Sequence, residues 1–537
     1  MRYVMQNKAY YRFIVALLMI SPLFTGCYSY IAEHGPSICG NPERNCFEDL
    51  IKHSQAQPDG HLNFRLAEDS ELRVRVENFN SRDRTDELAT YKREALTAPL
   101  LMRFVWLSDV HIRQRELRWG SKLFSEYLKK SVPSAEFNEA QADFHWAVYF
   151  SQIEAINQLN RDYRYRPVDF MIHTGDSVDT GSIEELYQFI YISNKLKIPW
   201  LNIVGNHDVT IFGNYMARLG YGRDPGVTFF PVGNLGDFIW MHRDRGEISG
   251  SARNLLPLPA NSNHEPSVST WKDKKLARTF HHGFDLEVGK TCTDKAPKIP
   301  SYDNAGNYAT DLCAIPLPVR LIGLNSAKKD KLGAEGSIDP EQHRWLKERL
   351  RGKRESIYLL FFHHRLKDMS YALSDARENL LADLGDGALV VFTGHTHQHH
   401  LYWHAGQNGK GFYELNTGSV LEFPQIGRLI ELRGNPGGRV WLISRALWSN
   451  LMTAREREMP AKDEIKRKLK ECKDKREAKQ ENLADAVACG HYGAYDDYLQ
   501  KRDGAKPPQP FDEMWEEANV IIKLTGSGPP GLEFCFP

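Results

Sequence analysis

The chain has 537 residues, 41% hydrophobic, 11% aromatic and 26% charged. This is a globular composition, able to bury a sizeable core as two to four domains or as one core with long insertions. Lys plus Arg equals Asp plus Glu at 69 each, which excludes overall electrostatic steering toward nucleic acid or anionic lipid; a total leaves a local basic patch open, and no specific nucleic-acid partner is inferred.

In chain order, Arg2, Lys8 and Arg12 precede an apolar run over 13–20 that ends near the small-residue site Thr25-Gly26-Cys27. The run is too short to span a membrane comfortably and has the layout of a secretory signal. Leu23-Phe24-Thr25-Gly26-Cys27 resembles a bacterial lipobox, with Phe24 where Leu, Val or Ile is usual. The resemblance implies a lipoprotein signal peptide over 1–26 and lipidation of Cys27. The protein would then be anchored by lipid to the bacterial cell envelope, on its periplasmic or surface face, without a transmembrane helix. The alternative is an ordinary signal peptide cut nearby. Export permits disulfides, and Cys39/Cys46, Cys292/Cys313 and Cys472/Cys489 are close enough in sequence to pair locally.

Residues 27–98 read as a tether and a small N-terminal region, in which Leu72, Val74 and Val76 alternate with charged residues as in a half-buried strand. From about residue 99 short apolar runs alternate with helical stretches. Strands are expected over 101–107, 168–174 and 200–204, with helices over 137–160 and 183–197. This βαβ rhythm predicts an α/β core. It breaks over 212–315, a Gly-, Pro-, Asn- and Asp-rich stretch that reads as an insertion forming a lid or pocket wall. It resumes with strands over 319–324, 357–362 and 388–393, helices over 340–351 and 375–384, and strand-like runs near 412–415, 428–432 and 439–443. Residues 451–537 read as a charged surface helix and a tail with no assignable elements.

Five short motifs each follow an expected strand: Asp109-Val-His111, Gly175-Asp176, Gly205-Asn206-His207-Asp208, His363-His364 and Gly394-His395-Thr396-His397. Side chains at strand carboxyl ends of an α/β sheet converge on one crevice. Carboxylate and imidazole donors without a thiolate suit iron, manganese, zinc or similar ions. Each motif alone is weak, because a lone His at a strand end is more often a packed core residue; the ordered set carries the reading.

This ordered set resembles the calcineurin-like metallophosphoesterase superfamily over roughly residues 100–445. The resemblance implies an α/β fold, a four-layer α-β-β-α sandwich of two mixed sheets with a dinuclear metal site at the strand ends, in a phosphoesterase domain over 99–450. One ion (Fe, Mn or Zn) would be held by Asp109, His111, Asp176 and His397. The second would be held by Asp176, Asn206, His363 and His395, with Asp176 bridging. Arg365 stands where the family usually has Pro, and His364 is the alternative to His363.

Such a site implies an enzyme that hydrolyses phosphoric esters by in-line attack of a metal-bridging hydroxide, with phosphodiesters slightly favoured over monoesters. His207 would protonate the leaving oxygen, and Asp208 would hold the His207 ring. Asp179 would buttress Asp176 or serve only a turn, His173 reads as a packed histidine, and Arg113, Arg365, His281 and His282 are candidate phosphate contacts. The competing class is a catalytically inactive surface binding protein that keeps the fold.

Overall fold

The computed structural model describes residues 64–75, 85–112, 144–161, 168–179, 200–208, 283–288, 319–327, 335–338, 340–350, 357–369, 388–405, 411–434, 439–449, 461–477, 483–502 and 508–524, with single positions between 189 and 198. Cys27, the signal region, Arg113, His281, His282, the helix expected over 375–384 and most of 212–315 lie outside them. The strands are β1 (Arg65–Leu66), β2 (Arg73–Arg75), β3 (Leu100–Leu107), β4 (Phe170–His173), β5 (Trp200–Asn202), β6 (Gly283–Val288), β7 (Val319–Leu324), β8 (Ile357–Phe361), β9 (Ala388–Thr393), β10 (His400–Ala405), β11 (Gly411–Asn416), β12 (Ile426–Gly434), β13 (Val440–Trp448) and β14 (Val520–Lys523). The helices are α1 (Thr85–Thr97), α2 (His145–Arg161), α3 (Pro340–Leu350), α4 (Lys462–Glu477), α5 (Leu483–Arg502) and α6 (Phe511–Ala518).

One sheet runs in the order β2-β14-β13-β12-β3-β4-β5, with β1 also paired to β13. The other runs β10-β11-β9-β8-β7-β6. Both are mixed: β3-β4-β5 and β7-β8-β9-β11 are parallel, while β12, β13, β10 and β6 pair antiparallel with neighbours.

The alternation of side chains along a strand explains the layers. Met102, Phe104 and Trp106 of β3 face Phe361 of β8 and Val390 and Phe392 of β9 in a core between the sheets. The intervening Val105 and Leu107 face away and pack with Ile153, Ile156 and Leu159 of α2. On the far side Tyr358, Leu360, Leu389 and Val391 pack with Leu346 and Leu350 of α3. Each central strand is therefore buried on both faces, which is why it reads as a continuous apolar run. The result is the expected four-layer α-β-β-α sandwich.

The flanks differ from the sequence reading. β2 is the half-buried strand expected around Leu72, Val74 and Val76, but β1, and β14 from the tail, were not expected, and all three are members of the first sheet. β6 lies inside the stretch read as irregular and pairs with β7 at a sheet edge. A disulfide joins Cys472 of α4 to Cys489 of α5, one of the three expected local pairs; the other two lie outside the described residues. Among the described residues no helix is long and apolar enough to cross a membrane.

Candidate metal centre

The five motifs sit just past the carboxyl ends of β3, β4, β5, β8 and β9. Backbone bonds lock the loops together. Asp109 N–H donates to Gly175 O (3.0 Å), His111 N–H to Asp176 O (2.9 Å) and Gly394 N–H to His363 O (2.8 Å). The two sheets are joined at the site by His395 N–H, which donates to Asp109 Oδ2 (3.0 Å).

Their side chains meet. His397 Nε2 lies 3.2 Å from His111 Nε2 and 3.3 Å from Asp109 Oδ1. His363 Nε2 lies 3.0 Å from Asp176 Oδ2 and 3.0 Å from Asn206 Oδ1. Asp176 Oδ2 is also 3.7 Å from His111 Nε2, so this one carboxylate oxygen stands between the two groups. His395 packs its ring against His363, 5.1 Å between centroids. His363 Nδ1 donates to Thr174 O (2.8 Å), which fixes the tautomer and leaves Nε2 as the free donor atom. His364 instead meets Ser326 Oγ through Nδ1 (2.9 Å).

Backbone strain marks the same residues. Six non-glycine residues among those described have positive φ, and five are Asp109 (54°), His111 (43°), Asp176 (54°), His395 (71°) and His397 (55°). Left-handed backbone costs a residue with a Cβ roughly 1–2 kcal/mol, and such strain persists where the surrounding bonds over-determine it. The glycines of the motifs answer a related demand. A Cβ on Gly205 would stand 2.2 Å from Asp176 N and Oδ1, and one on Gly394 would stand 2.0 Å from Ser108 Oγ and 2.5 Å from Asp109 Oδ2. Only a bare Cα lets these loops close on the carboxylates.

The model of one protein family, the calcineurin-like phosphoesterases, matches residues 102–399. The chain belongs to that family. No curated protein sequence matches it. A 5'-nucleotidase from Candida albicans SC5314 is a structural neighbour at 12% identity and TM-score 0.29, covering 62% of this chain. The chain spans 48% of that nucleotidase's length, and the likeness carries no argument here.

The donor set fits the metal ions that a calcineurin-like phosphoesterase implies. Burial raises the cost of charge on Asp109, but His363, His111 and His397 outweigh it and hold the carboxyl well below its usual range. Burial opposes protonation of His397 as well, yet Glu422 and Asp109 bring it up to about 10. Asp176 and Asp109 likewise bring His363 up to about 9 against burial. The carboxylates thus demand positive charge at this spot. Protons on the imidazoles meet that demand, and divalent ions binding the neutral imidazoles would meet it as well. Among the described residues four triads of donor atoms lie within 4.8 Å: Asp109/His111/His397, Asp109/Asp176/His363, His363/His364/His395 and His111/Asp179/His207.

Asp208 departs from its expected part. Its carboxylate accepts backbone N–H groups from Ser177 (2.8 Å) and Val178 (3.2 Å) on Oδ1 and from Gly205 (2.8 Å) and Asp176 (3.1 Å) on Oδ2. It therefore organises the loops that carry Asp176 and Asn206. The His207 ring is held instead by Asp179, whose backbone O receives Nδ1–H at 2.6 Å; Asp179 Oδ1 stands 3.7 Å from His111 Nδ1. His173 is a packed histidine, bonded to Asn202 Oδ1 (2.8 Å) and lowered to about 4 by burial. Arg365 is engaged by Asp368 (2.6 Å) and Tyr402 Oη (2.8 Å). The Asn416–Ser419 segment braces the site: Ser419 Oγ donates to Asp109 O (2.6 Å) and Asn416 Nδ2 to Gly394 O (2.6 Å). Sequence reasoning passed over Glu422, whose Oε1 lies 3.0 Å from His397 Nδ1.

Proposed function

We propose that the protein is a metal-dependent hydrolase of phosphoric esters, with phosphodiesters slightly favoured over monoesters. The observation that carries this is the convergence of Asp109, His111, Asp176, Asn206, His363, His395 and His397 at one set of strand ends in a chain of this family. One ion would be held by Asp109, His111, Asp176 and His397, and a second by Asp176, Asn206, His363 and His395. When bound, such a pair supplies Lewis acidity toward the phosphoryl group and the attacking water. Iron, manganese or zinc suits these donors.

The chain's own groups do the rest. His207 has Nδ1 fixed on Asp179 O and its side chain is 38% exposed, so Nε2 is open to a substrate. His207 would give a proton to the departing oxygen, help typically worth about 10²–10⁴-fold. The intact Gly205-Asn206-His207 motif, which offers an acid for the departing oxygen, is the reason diesters are slightly favoured, although monoesters use the same kind of site.

The test is turnover of bis-p-nitrophenyl phosphate and p-nitrophenyl phosphate by protein stripped with chelator and reloaded with Mn²⁺, Zn²⁺ or Fe²⁺. Activity should vanish on stripping and return on reloading, faster on the diester. Protein that binds no metal, or turns over neither ester when loaded, refutes the reading and leaves a surface binding protein.

We further propose that the protein is an exported bacterial lipoprotein anchored through Cys27. The basic start, short apolar run and Thr25-Gly26-Cys27 site support it, and so does the Cys472–Cys489 disulfide, since disulfides persist in oxidising compartments. Mass spectrometry should find acylated Cys27 as the first residue; an unmodified N-terminus elsewhere refutes it.

A further inference from the structure

We infer that Glu422 is a positioning residue for the metal centre, and that the C-terminal helices α4–α6 hold it in place. Glu422 lies beyond the residues matched by the family. The inference rests on the reading of His397 as a metal ligand.

His397 presents two nitrogens to two different surroundings. Nε2 faces Asp109 Oδ1 (3.3 Å) and His111 Nε2 (3.2 Å), the side where an ion would sit. Nδ1 faces Glu422 Oε1 at 3.0 Å. A carboxylate on the far nitrogen of a ligating histidine fixes its tautomer, aims the ring and raises its basicity as a donor. His363 gets the equivalent support from a backbone carbonyl, Thr174 O. The two imidazoles are thus supported by different chemistry, and only the support of His397 is encoded in a side chain.

Glu422 is itself tightly placed. Ser419 Oγ donates to Asp109 O (2.6 Å) and accepts from the backbone N–H of Leu421 (3.0 Å) and Glu422 (3.4 Å). One hydroxyl therefore ties the backbone of ligand Asp109 to the turn that carries Glu422. The next residue, Phe423, is buried against Ile465 of α4, Tyr495 and Leu499 of α5, and Met514 of α6. Gln425 O accepts from Gln152 of α2 (2.7 Å), and its side chain meets His491 of α5. Lys501 of α5 reaches Glu422 Oε1 at 3.4 Å and Asp497 Oδ2 at 3.0 Å. Apolar packing of Phe423 and the backbone turn hold the carboxylate. The Lys501 contact is long and part-exposed, so it contributes little beside them.

The experiment is a Co²⁺ titration of metal-free protein, followed by equilibrium dialysis and the cobalt d–d absorption, on wild type, His397→Ala, Glu422→Gln, Glu422→Asp and Lys501→Met. Glu422→Gln keeps the shape of the side chain and should bind the same number of ions about 10–100-fold more weakly, with an altered d–d spectrum. Glu422→Asp, which withdraws the carboxylate by one methylene, should weaken binding by less. Lys501→Met should weaken it by no more than about fivefold, an effect that disappears in high salt. His397→Ala should lose one ion outright. Wild-type affinity and spectrum for Glu422→Gln, with His397→Ala losing its ion, overturns the role of Glu422 and leaves the metal reading intact. Undiminished binding by His397→Ala overturns the assignment of His397 itself, and the inference with it.

Discussion

Asp208→Asn separates the structural role of Asp208 from the one its place beside His207 suggests. The carboxylate receives four backbone N–H groups, two on each oxygen, from the loop of Asp176 and from Gly205. An Asn of the same shape offers one oxygen and one NH₂, so whichever way it turns, two buried N–H groups face a donor. Each buried donor left without an acceptor costs about 1–3 kcal/mol, giving a loss of roughly 2–6 kcal/mol in the stability of the metal-free protein. Because the freed groups belong to Asp176, its two successors and Gly205, the loss falls on the loops that place the ligands, and metal affinity should drop with stability. Urea denaturation of metal-free protein and metal content after dialysis measure both. If Asp208 served only to hold His207, the variant would keep wild-type stability and metal content and lose turnover alone. That outcome would refute the argument.

Other positions give independent checks. Gly205→Ala puts a methyl 2.2 Å from Asp176 N and Oδ1; elemental analysis should find metal lost from the purified variant, and full metal content would show that the loop has room. Glu431 is buried between Arg103, Arg433 (3.0 Å) and Arg445 (3.6 Å). Removing one partner of a buried ion pair typically costs about 3–5 kcal/mol, so Glu431→Ala should lower the unfolding free energy from urea denaturation by about that much while the folded fraction still binds metal. His491 is buried and brought down to about 3 by desolvation, whereas in the unfolded chain it titrates near ~6.5. Its folded pKa is depressed, so the unfolded state binds the proton first. Its contribution is intact above pH ~6.5 and is lost as pH falls from there toward 3, by up to about 1.4 kcal/mol per pH unit. His491→Gln should flatten that part of the stability curve measured by denaturation at successive pH values; an unchanged slope would show that His491 is not the group responsible.

What could be read in the sequence follows from what repeats in it. Strands buried on both faces leave uninterrupted apolar runs, so β3, β7, β8 and β9 were legible to within a residue or two, and the motifs after them named the side chains that meet. β14 carries only four residues, Val520-Ile-Ile-Lys523, too short to distinguish from a turn of buried helix, and its place depends on partners remote in sequence, β13 at Trp441–Ser444 and β2 at Arg73–Arg75. β10, His400–Ala405, is partly exposed and rich in His and aromatic residues, so it showed no clean alternation.

Within the site the same division holds. Which side chains converge is a matter of residue type and could be read; how they are supported is a matter of direction and could not. Asp208 follows His207 in sequence and Asp179 lies in another loop, yet a backbone oxygen of Asp179 takes the ring and the carboxylate of Asp208 takes four amides. Nothing in their spacing chooses between those parts. The choice is made by backbone geometry, because left-handed residues at Asp176 and its counterparts turn successive N–H groups inward, and a buried carboxylate is the acceptor that can satisfy several of them at once. A motif therefore fixes which atoms can bind a metal, while the strained loops decide which neighbouring residue must hold them there.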